Sequence, residues 1–295
     1  MTRIGFLGLG NMGARMAANL VKGGFEVAGF DPVEAARTRA AASGITPTVS
    51  VESAVSGADA VVSMLPAGPQ VREAYDAHVF GAARSGALFL ECSTIDVESA
   101  RATAANAAAH GFAMVDAPVS GGIAAAEAGT LAFMVGGTEE AFARAQPILE
   151  KMGRAVIHAG ASGAGQAAKV CNNMLLGISM IATCEAFLLA EKLGLDAQKF
   201  YDIASKASGQ CWSLTSYCPV PGPVPAAPSN RDYAPGFTAA MMLKDLKLAH
   251  EAAKTSGAAT PLGAHAERLY EAFSGAGGAA KDFSGIIRFL PKAEL

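Results

Sequence analysis

A lysine and an asparagine, Lys169 and Asn173, stand four residues apart in the segment Gly163–Asn173. On a helix this spacing places an amine and an amide on one face. The amine can take or give a proton at a reacting oxygen, and the amide can hydrogen-bond the same substrate, if a pocket holds both. On spacing alone, a solvated helix face is the commoner explanation.

The residues that follow this pair favour the chemical role. The run Met174–Cys184 is apolar on nearly every side, which predicts a buried helix. A lysine that enters a buried helix needs a reason to be there, because burying an unpartnered charge is costly. We therefore treat Lys169 and Asn173 as candidate catalytic residues.

A glycine-rich turn near the start of the chain could bind phosphate. The apolar run Ile4–Leu7 precedes the turn, and the helix-forming stretch Ala14–Lys22 follows it. This order predicts a dinucleotide site, in which Gly8 allows a tight turn, Gly10 lets the backbone approach a pyrophosphate, and Gly13 lets the helix pack on the strand. The helix N-terminus favours the phosphate charge. The residues of the turn are Gly8, Leu9, Gly10, Asn11, Met12 and Gly13.

An acidic residue stands at the end of the next predicted strand. The strand Glu26–Phe30 ends before Asp31, at about the spacing where a carboxylate binds the adenosine ribose hydroxyls. Because Asp31 would repel a 2′-phosphate and no arginine follows it immediately, NAD is favoured over NADP. Arg37 and Arg39 leave NADP open.

Further apolar runs alternate with alanine-rich helical segments. This alternation predicts a doubly wound, largely parallel sheet, which is an α/β fold of the Rossmann type. The predicted strands are Ala60–Leu65, Ala87–Cys92, Ala113–Asp116, Leu131–Val135 and Ala155–His158.

Residues just beyond such strands are candidates to face a ligand, because ligands of these sheets lie outside the carboxyl ends. A plain turn is the alternative at each position. At Ser120 the two following glycines favour function, since their exposed backbone donors could bind a carboxylate. The candidates are Leu65, Pro66, Thr94, Ser120, Gly121 and Gly122.

The second half of the chain predicts an all-α domain, with helices at about 166–193, 197–206, 238–255 and 260–273. We expect domains at 1–162 and 163–295, with a linking helix at 163–193. The segment Cys218–Gly236 holds six of the fourteen prolines and predicts an irregular loop, a kind of segment that is often functional. Lys244 lies in a helical segment of mostly apolar residues. It could form ion pairs on an exposed helix face or belong to the site, and the sequence supports the two roles equally.

Composition excludes several classes of protein. The chain has 295 residues, of which 51% are hydrophobic and 17% charged, and this excludes disorder. A net charge of −3 without a basic stripe argues against nucleic acid and membrane surfaces, so we expect a small ligand.

Cysteine and histidine usage argues against disulfides and metals. The five cysteines include no C-x-x-C pair, and the five histidines are scattered without metal-ligand spacing. No targeting segment or sufficiently long membrane span is visible in the sequence. We expect a cytoplasmic protein without a metal.

Several segments together resemble the β-hydroxyacid dehydrogenase family, and they run through nearly the whole chain. They are Phe6–Leu20, Asp116–Gly122, Gly129–Leu131, Gly163–Asn173 and Lys244–Leu246. A second set of segments is similar to family members that oxidise 3-hydroxyisobutyrate in valine breakdown. These are Ser208–Ser213, Tyr217–Gly222, Pro228–Tyr233 and Lys281–Ser284.

The resemblance implies a role for each candidate residue. Lys169 would be the catalytic lysine and Asn173 would assist it. The substrate-binding residues would be Ser120, Gly121, Gly122, Asn172 and Trp212. The glycine turn and Asp31 would hold the cofactor together with Leu65, Pro66, Thr94 and Lys244.

The resemblance also implies NAD as cofactor and a homodimer or homotetramer. Relatives that use NADPH commonly carry Asn-Arg-Thr where this chain has Asp31-Pro32-Val33. The expected reaction is the NAD-dependent oxidation of 3-hydroxyisobutyrate to methylmalonate semialdehyde. Two alternatives stay open: a reductase of tartronate, glyoxylate or malonate semialdehyde, and a non-catalytic dinucleotide-binding protein, which would be expected to lack the lysine.

Overall fold

A computed structural model describes residues 2–292 of the chain. Contacts divide the chain into two compact units, Met1–Lys169 and Val170–Leu295. The sequence predicted a domain boundary after residue 162, seven residues before this division at Lys169. That boundary stays a prediction.

The strands all belong to the first unit and form one mixed sheet. They are β1 (Arg3–Leu7), β2 (Glu26–Phe30), β3 (Thr46–Pro47), β4 (Ala60–Ser63), β5 (Leu88–Glu91), β6 (Ala113–Asp116), β7 (Val119–Ser120), β8 (Leu131–Gly136) and β9 (Gly153–Gly160).

The α-helices connect the strands in the first unit and build most of the second. They are α1 (Gly13–Lys22), α2 (Glu34–Ala41), α3 (Val51–Val55), α4 (Gly68–Ala74), α5 (Phe80–Ala82), α6 (Val97–Ala109), α7 (Gly122–Ala128), α8 (Glu139–Leu149), α9 (Ala164–Lys192), α10 (Ala197–Ala204), α11 (Trp212–Thr215), α12 (Ala239–Ser256) and α13 (Pro261–Phe273). Short π-helical segments lie at Tyr75–Val79 and Ser274–Gly278, and 3-10 segments at Pro228–Arg231, Phe283–Arg288 and Leu290–Lys292.

The sheet has the strand order β3-β2-β1-β4-β5-β6-β8-β7, with β9 paired to β8. The first six strands are parallel, β8 is antiparallel to β6 and β7, and β9 is parallel to β8. This largely parallel arrangement confirms the predicted Rossmann-type fold.

Alternate side chains of each central strand enter different apolar clusters. On β4, Ala60 and Val62 belong to the cluster that includes Met16 and Leu20 of α1, whereas Val61 belongs to the cluster on the other face. Because both faces of a parallel sheet are covered by helices, its strands are apolar throughout rather than alternating. This explains why β1 and β4 read as continuous apolar runs in the sequence.

The second unit is helical, as predicted, and contains the proline-rich loop. The buried carboxylate of Asp282 organises the end of this loop, since it accepts hydrogen bonds from the Tyr217 hydroxyl at 2.8 Å and from the backbone N–H groups of Gly236 and Phe237 at 3.0 and 3.2 Å. The rest of the segment Cys218–Gly236 is irregular apart from one 3-10 turn, which confirms that prediction.

The prediction that Met174–Cys184 is buried on nearly every side is wrong. Met180 and Cys184 enter the core of the second unit, but Leu175 is 63% exposed. Exposure continues along the same helix at Leu189, which is 60% exposed. Composition predicts an apolar helix but not which of its faces is covered, and Leu175 and Leu189 form a stripe that residues 2–292 leave exposed.

By length and composition α9 could cross a membrane, because it has 29 residues and its apolar stretch has a mean hydropathy of 1.7. Core helices of water-soluble proteins pass the same test, so this is weak support for a membrane span.

Candidate active site

The predicted cofactor residues of the first unit lie at one edge of the sheet. The glycine turn follows β1, Asp31 follows β2, Leu65 follows β4 and Thr94 follows β5. These four strands are parallel, so their carboxyl ends meet at the same edge. Ser120 ends β7, which runs in the direction of β6 because both are antiparallel to β8. The sheet therefore brings the candidates from five strands to one side.

The glycine turn leaves room at the position where a pyrophosphate is expected. Gly8 has a φ of +92°, and its N–H donates to the carbonyl of Phe30 at 2.9 Å. A Cβ on Gly13 would lie 1.9 Å from the Gly8 carbonyl oxygen, so only glycine allows α1 to start this close to β1. A Cβ on Gly10 would meet nothing within 4 Å. The turn therefore fits a dinucleotide, which would approach the backbone at Gly10.

The Asp31 carboxylate is fixed in place and keeps capacity for further hydrogen bonds. It is 9% exposed, and its two oxygens accept from the N–H groups of Leu9 and Val33, each at 2.8 Å. Each carboxylate oxygen can accept about two hydrogen bonds, so both can still accept from a ribose hydroxyl. This arrangement fits the predicted ribose-binding role.

Arg37 and Arg39, which kept NADP as an alternative cofactor in the sequence analysis, both lie on α2. Arg37 Nη1 donates to the carbonyl oxygens of Asp31 at 2.6 Å and Pro32 at 3.3 Å. Arg39 lines a cleft of about 480 Å³ beside the glycine turn, together with Lys22 of α1. The Arg37 guanidinium is thus hydrogen-bonded to the backbone just before α2, whereas Arg39 lies beside the glycine turn.

The start of α9 is fixed to the sheet by Asp116. Its carboxylate accepts hydrogen bonds from the N–H groups of Gly163 at 2.7 Å and Gln166 at 2.9 Å. A carboxylate at this position satisfies helix N–H groups that have no partner within the helix. A Cβ on Gly165 would lie 2.4 Å from the carbonyl oxygen of Met134, so the glycine allows α9 to start directly against β8. Burial raises the pKa of Asp116, although these hydrogen bonds oppose the shift.

A second buried acid, Glu91, ends β5 and is 1% exposed. Burial raises the pKa of the Glu91 carboxyl to about 8, although hydrogen bonds from Ser93 oppose the shift. The folded protein therefore keeps a proton on Glu91 at pH values where the unfolded chain, with an ordinary value of 4.5, has released it. The stability that this proton on Glu91 provides is fully present below pH 4.5 and is lost as the pH rises towards about 8.

Replacing Glu91 by glutamine should remove this pH dependence. We expect the Tm of Glu91→Gln to decline less than that of the wild type between about pH 5 and about pH 8, because an amide has no proton to release in that range. Thermal unfolding at a series of pH values measures the difference. Glu98→Gln, at an exposed glutamate of α6, is the control and should follow the wild type. Parallel curves for Glu91→Gln and the wild type would contradict this account.

Lys169 and Asn173 lie on one continuous helix, as predicted. Lys169 is 6% exposed and ends the first unit, whereas Asn173 is 2% exposed and belongs to the second. In the second unit, Asn173 Nδ2 donates to the Asp245 carboxylate on α12, and Asn173 Oδ1 accepts from Asn172 Nδ2 at 2.9 Å. These bonds fix the orientation of the Asn173 amide.

The other candidates of the second unit are Trp212 and Lys244. Trp212 begins α11, is 51% exposed, and stacks on Tyr217 with ring centroids 4.9 Å apart. Lys244 is half-buried on α12, directly before Asp245. The roles of all these candidate residues stay predictions.

Four residues of the first unit that fix the candidate residues there had no role in the sequence analysis: Glu91, Ser93, Asp116 and Gln166. A carboxylate that directly ends an apolar strand was an available signal for Glu91 and Asp116, because buried acids are rare without a function. Within residues 2–292 no group of three or more metal-ligating side chains could hold a metal ion.

Two family profiles cover nearly the whole chain. The NAD-binding domain of 6-phosphogluconate dehydrogenase matches residues 3–160, and the NAD-binding domain of NADP-dependent 3-hydroxyisobutyrate dehydrogenase matches residues 163–290. A probable 3-hydroxyisobutyrate dehydrogenase of Mycobacterium tuberculosis is 53% identical over 98% of both chains. The chain belongs to the β-hydroxyacid dehydrogenase family.

Other members of the β-hydroxyacid dehydrogenase family are similar over the same length. The NAD-dependent L-serine dehydrogenase of Pseudomonas aeruginosa is 49% identical over 98% of both chains. The solved structure of Mycobacterium tuberculosis 3-hydroxyisobutyrate dehydrogenase with L-serine has a TM-score of 0.95 and 53% identity, and the match covers 98% of this chain and 99% of that one. Family membership makes the chain an oxidoreductase with an NAD-binding domain.

Proposed function

We propose that the chain is an NAD-dependent dehydrogenase that oxidises 3-hydroxyisobutyrate to methylmalonate semialdehyde. The observation that carries the proposal is the buried amine of Lys169, on a helix whose start is hydrogen-bonded to the cofactor edge of the sheet. A non-catalytic dinucleotide-binding protein has no need for a lysine buried at this position. The names of the relatives support the same substrate.

In the proposed reaction each residue acts on a defined part of the substrate. Ser120 and the N–H groups of Gly121 and Gly122 hold the carboxylate, and Asn173 orients the hydroxyl group. Lys169 takes the hydroxyl proton during oxidation and returns it to the oxygen during reduction. NAD, when bound, supplies the hydride acceptor.

L-serine is the second candidate substrate, because one relative of 49% identity is named for it. The two molecules differ in one group, since serine has an ammonium where 3-hydroxyisobutyrate has a methyl. An ammonium that is removed from water needs an acceptor or a carboxylate as partner. The proposed substrate contacts Ser120, Gly121, Gly122, Asn172 and Trp212 include neutral acceptors but no carboxylate, so measured activity must decide between the two substrates.

A panel of substrates tests the assignment. We expect kcat/KM with NAD to be highest for 3-hydroxyisobutyrate, followed by 3-hydroxypropionate, because one methyl contributes only about 1–3 kcal/mol of discrimination. L-serine and glycerate should be poorer, and the methyl ester of 3-hydroxyisobutyrate nearly inactive, since Ser120 and the glycine amides would lose a charged partner. If serine or glycerate is the best substrate, or the ester equals the acid, the assignment is wrong.

Asp31 should set the cofactor preference. We expect a higher kcat/KM with NAD than with NADP, because the Asp31 carboxylate accepts from ribose hydroxyls and repels a 2′-phosphate. Asp31→Ser should shrink this preference by weakening NAD and relieving the repulsion of NADP. The measurement is kcat/KM for both cofactors in both proteins. Equal use of the two cofactors by the wild type would contradict the role of Asp31.

We further propose that the chain forms a homodimer or homotetramer in the cytoplasm. The exposed apolar stripe of α9 supports self-association, because contiguous exposed apolar surface commonly marks an interaction site. Leu175, Leu189 and Leu193 of this region are 63%, 60% and 76% exposed.

A further inference from the structure

The side chain of Gln166 joins the start of α9 to the loop after β5. It is fully buried, and its Nε2 donates to the Ser93 carbonyl oxygen at 2.7 Å while its Oε1 accepts from the Ile95 N–H at 3.2 Å. These two backbone groups flank Thr94, which is a predicted cofactor residue. The side-chain amide of Gln166 therefore fixes the backbone both before and after Thr94.

The same set of hydrogen bonds reaches the loop after β4. Ser93 Oγ accepts from the Leu65 N–H at 2.7 Å, and Leu65 is a second predicted cofactor residue. Glu91 contacts both residues: its Oε1 accepts from the Ser93 N–H at 2.9 Å, and its Oε2 lies 3.4 Å from Gln166 Nε2. Both cofactor loops are thus bonded, directly or through Ser93, to one side chain of α9.

The backbone of Gln166 is fixed as well, since its N–H donates to Asp116 of β6 at 2.9 Å. Lys169 follows three residues later on the same helix, so the two side chains lie on neighbouring parts of one face. A shift of α9 at Gln166 would therefore shift the Lys169 amine relative to Leu65 and Thr94.

We propose that Gln166 is a positioning residue that sets the place of the Lys169 amine relative to the two cofactor loops. This inference rests on the proposed function, in which Lys169 exchanges a proton with the substrate. Misplacing reacting groups by about 1 Å can cost a hundredfold in rate. Gln166 thus acts on catalysis through Lys169 and Thr94, without contact with the substrate.

The first test is the variant Gln166→Met, which keeps the approximate volume and removes both hydrogen bonds. We expect kcat to fall by about tenfold or more, because Lys169 and the cofactor loops are no longer held together. The Kd for NAD should change less than kcat, since the glycine turn and Asp31 are unchanged and only the loops at Leu65 and Thr94 lose support. Thr103→Val is the matched control, because it removes a buried hydrogen bond of α6 to the Ser99 carbonyl in the same unit. The control should keep kcat.

Hydrogen–deuterium exchange gives a second measurement that does not depend on turnover. In Gln166→Met, exchange at the Ile95 amide should become faster, because its acceptor is lost, and the Ser99 amide, bonded to Asp96, should be unchanged. If Gln166→Met does not fold, Ser93→Ala tests the part of the network that reaches the loop after β4: it keeps the Ser93 carbonyl and removes the acceptor of the Leu65 N–H, so lower kcat and faster exchange at Leu65 are expected.

A kcat of Gln166→Met within about twofold of the wild type, or unchanged exchange at Ile95, would overturn the inference. A fall in kcat of the same size in Thr103→Val would also overturn it, because general destabilisation would then explain the loss. If the wild type itself oxidises no hydroxy acid, the proposed function fails, and the exchange data alone decide whether Gln166 fixes the cofactor loops.

Discussion

Replacing Lys169 by alanine should lower kcat by about a hundredfold or more, because a general acid–base residue typically contributes 10²–10⁴. The affinity for NAD should remain nearly intact, since the glycine turn and Asp31 lie on other elements of the first unit. Steady-state kinetics with 3-hydroxyisobutyrate and a separate NAD titration measure the two quantities. Near-normal turnover of Lys169→Ala would contradict the catalytic role.

Asn173→Ala is the matched comparison and should lower kcat less, because an orienting hydrogen bond is lost while the proton carrier remains. The structure adds a reason to expect some loss of stability, since Asp245 would lose its bond from the Asn173 amide in a buried position. If both variants lost NAD binding equally, the pair would be structural instead of catalytic.

Gly10→Ala should weaken NAD binding without weakening the fold. A Cβ on Gly10 would meet no atom of this chain within 4 Å, so the new methyl group fills only the space left for the ligand. An overpacked contact costs about 1–3 kcal/mol, which corresponds to a loss of about fivefold or more in affinity. The Kd for NAD and the Tm without ligand are the measurements.

Gly13→Ala provides the contrast to Gly10→Ala. Its Cβ would lie 1.9 Å from the Gly8 carbonyl oxygen, so the start of α1 must move and the Tm without ligand should fall. If Gly10→Ala lost as much Tm as Gly13→Ala, or bound NAD like the wild type, the assignment of the space beside Gly10 to the dinucleotide would be wrong.

The sequence predicted the elements whose patterns are local. The strands β2 and β6 have the predicted bounds, because each is an apolar run that ends at a residue unsuited to a strand interior, such as Asp31 or Asp116. The strands β3 and β7 were missed, because two residues are too few to show any periodicity.

The sequence did not predict the hydrogen bonds that fix the candidate residues within each unit. Gln166 lies 73 residues from Ser93, and Asn173 lies 72 residues from Asp245, so no local pattern connects them. These pairs meet only because the parallel sheet and the helix packing bring their elements together. The exposed stripe of α9 was missed for a related reason, since apolar composition does not distinguish a core face from an exposed face.

The most direct test of the central claim is to incubate the purified chain with NAD and 3-hydroxyisobutyrate and to follow the absorbance of reduced nicotinamide. We predict continuous formation of the reduced cofactor together with an equal amount of methylmalonate semialdehyde, and almost none with Lys169→Ala. Binding of NAD without turnover of this or any other short hydroxy acid would contradict the claim and would favour a non-catalytic dinucleotide-binding protein.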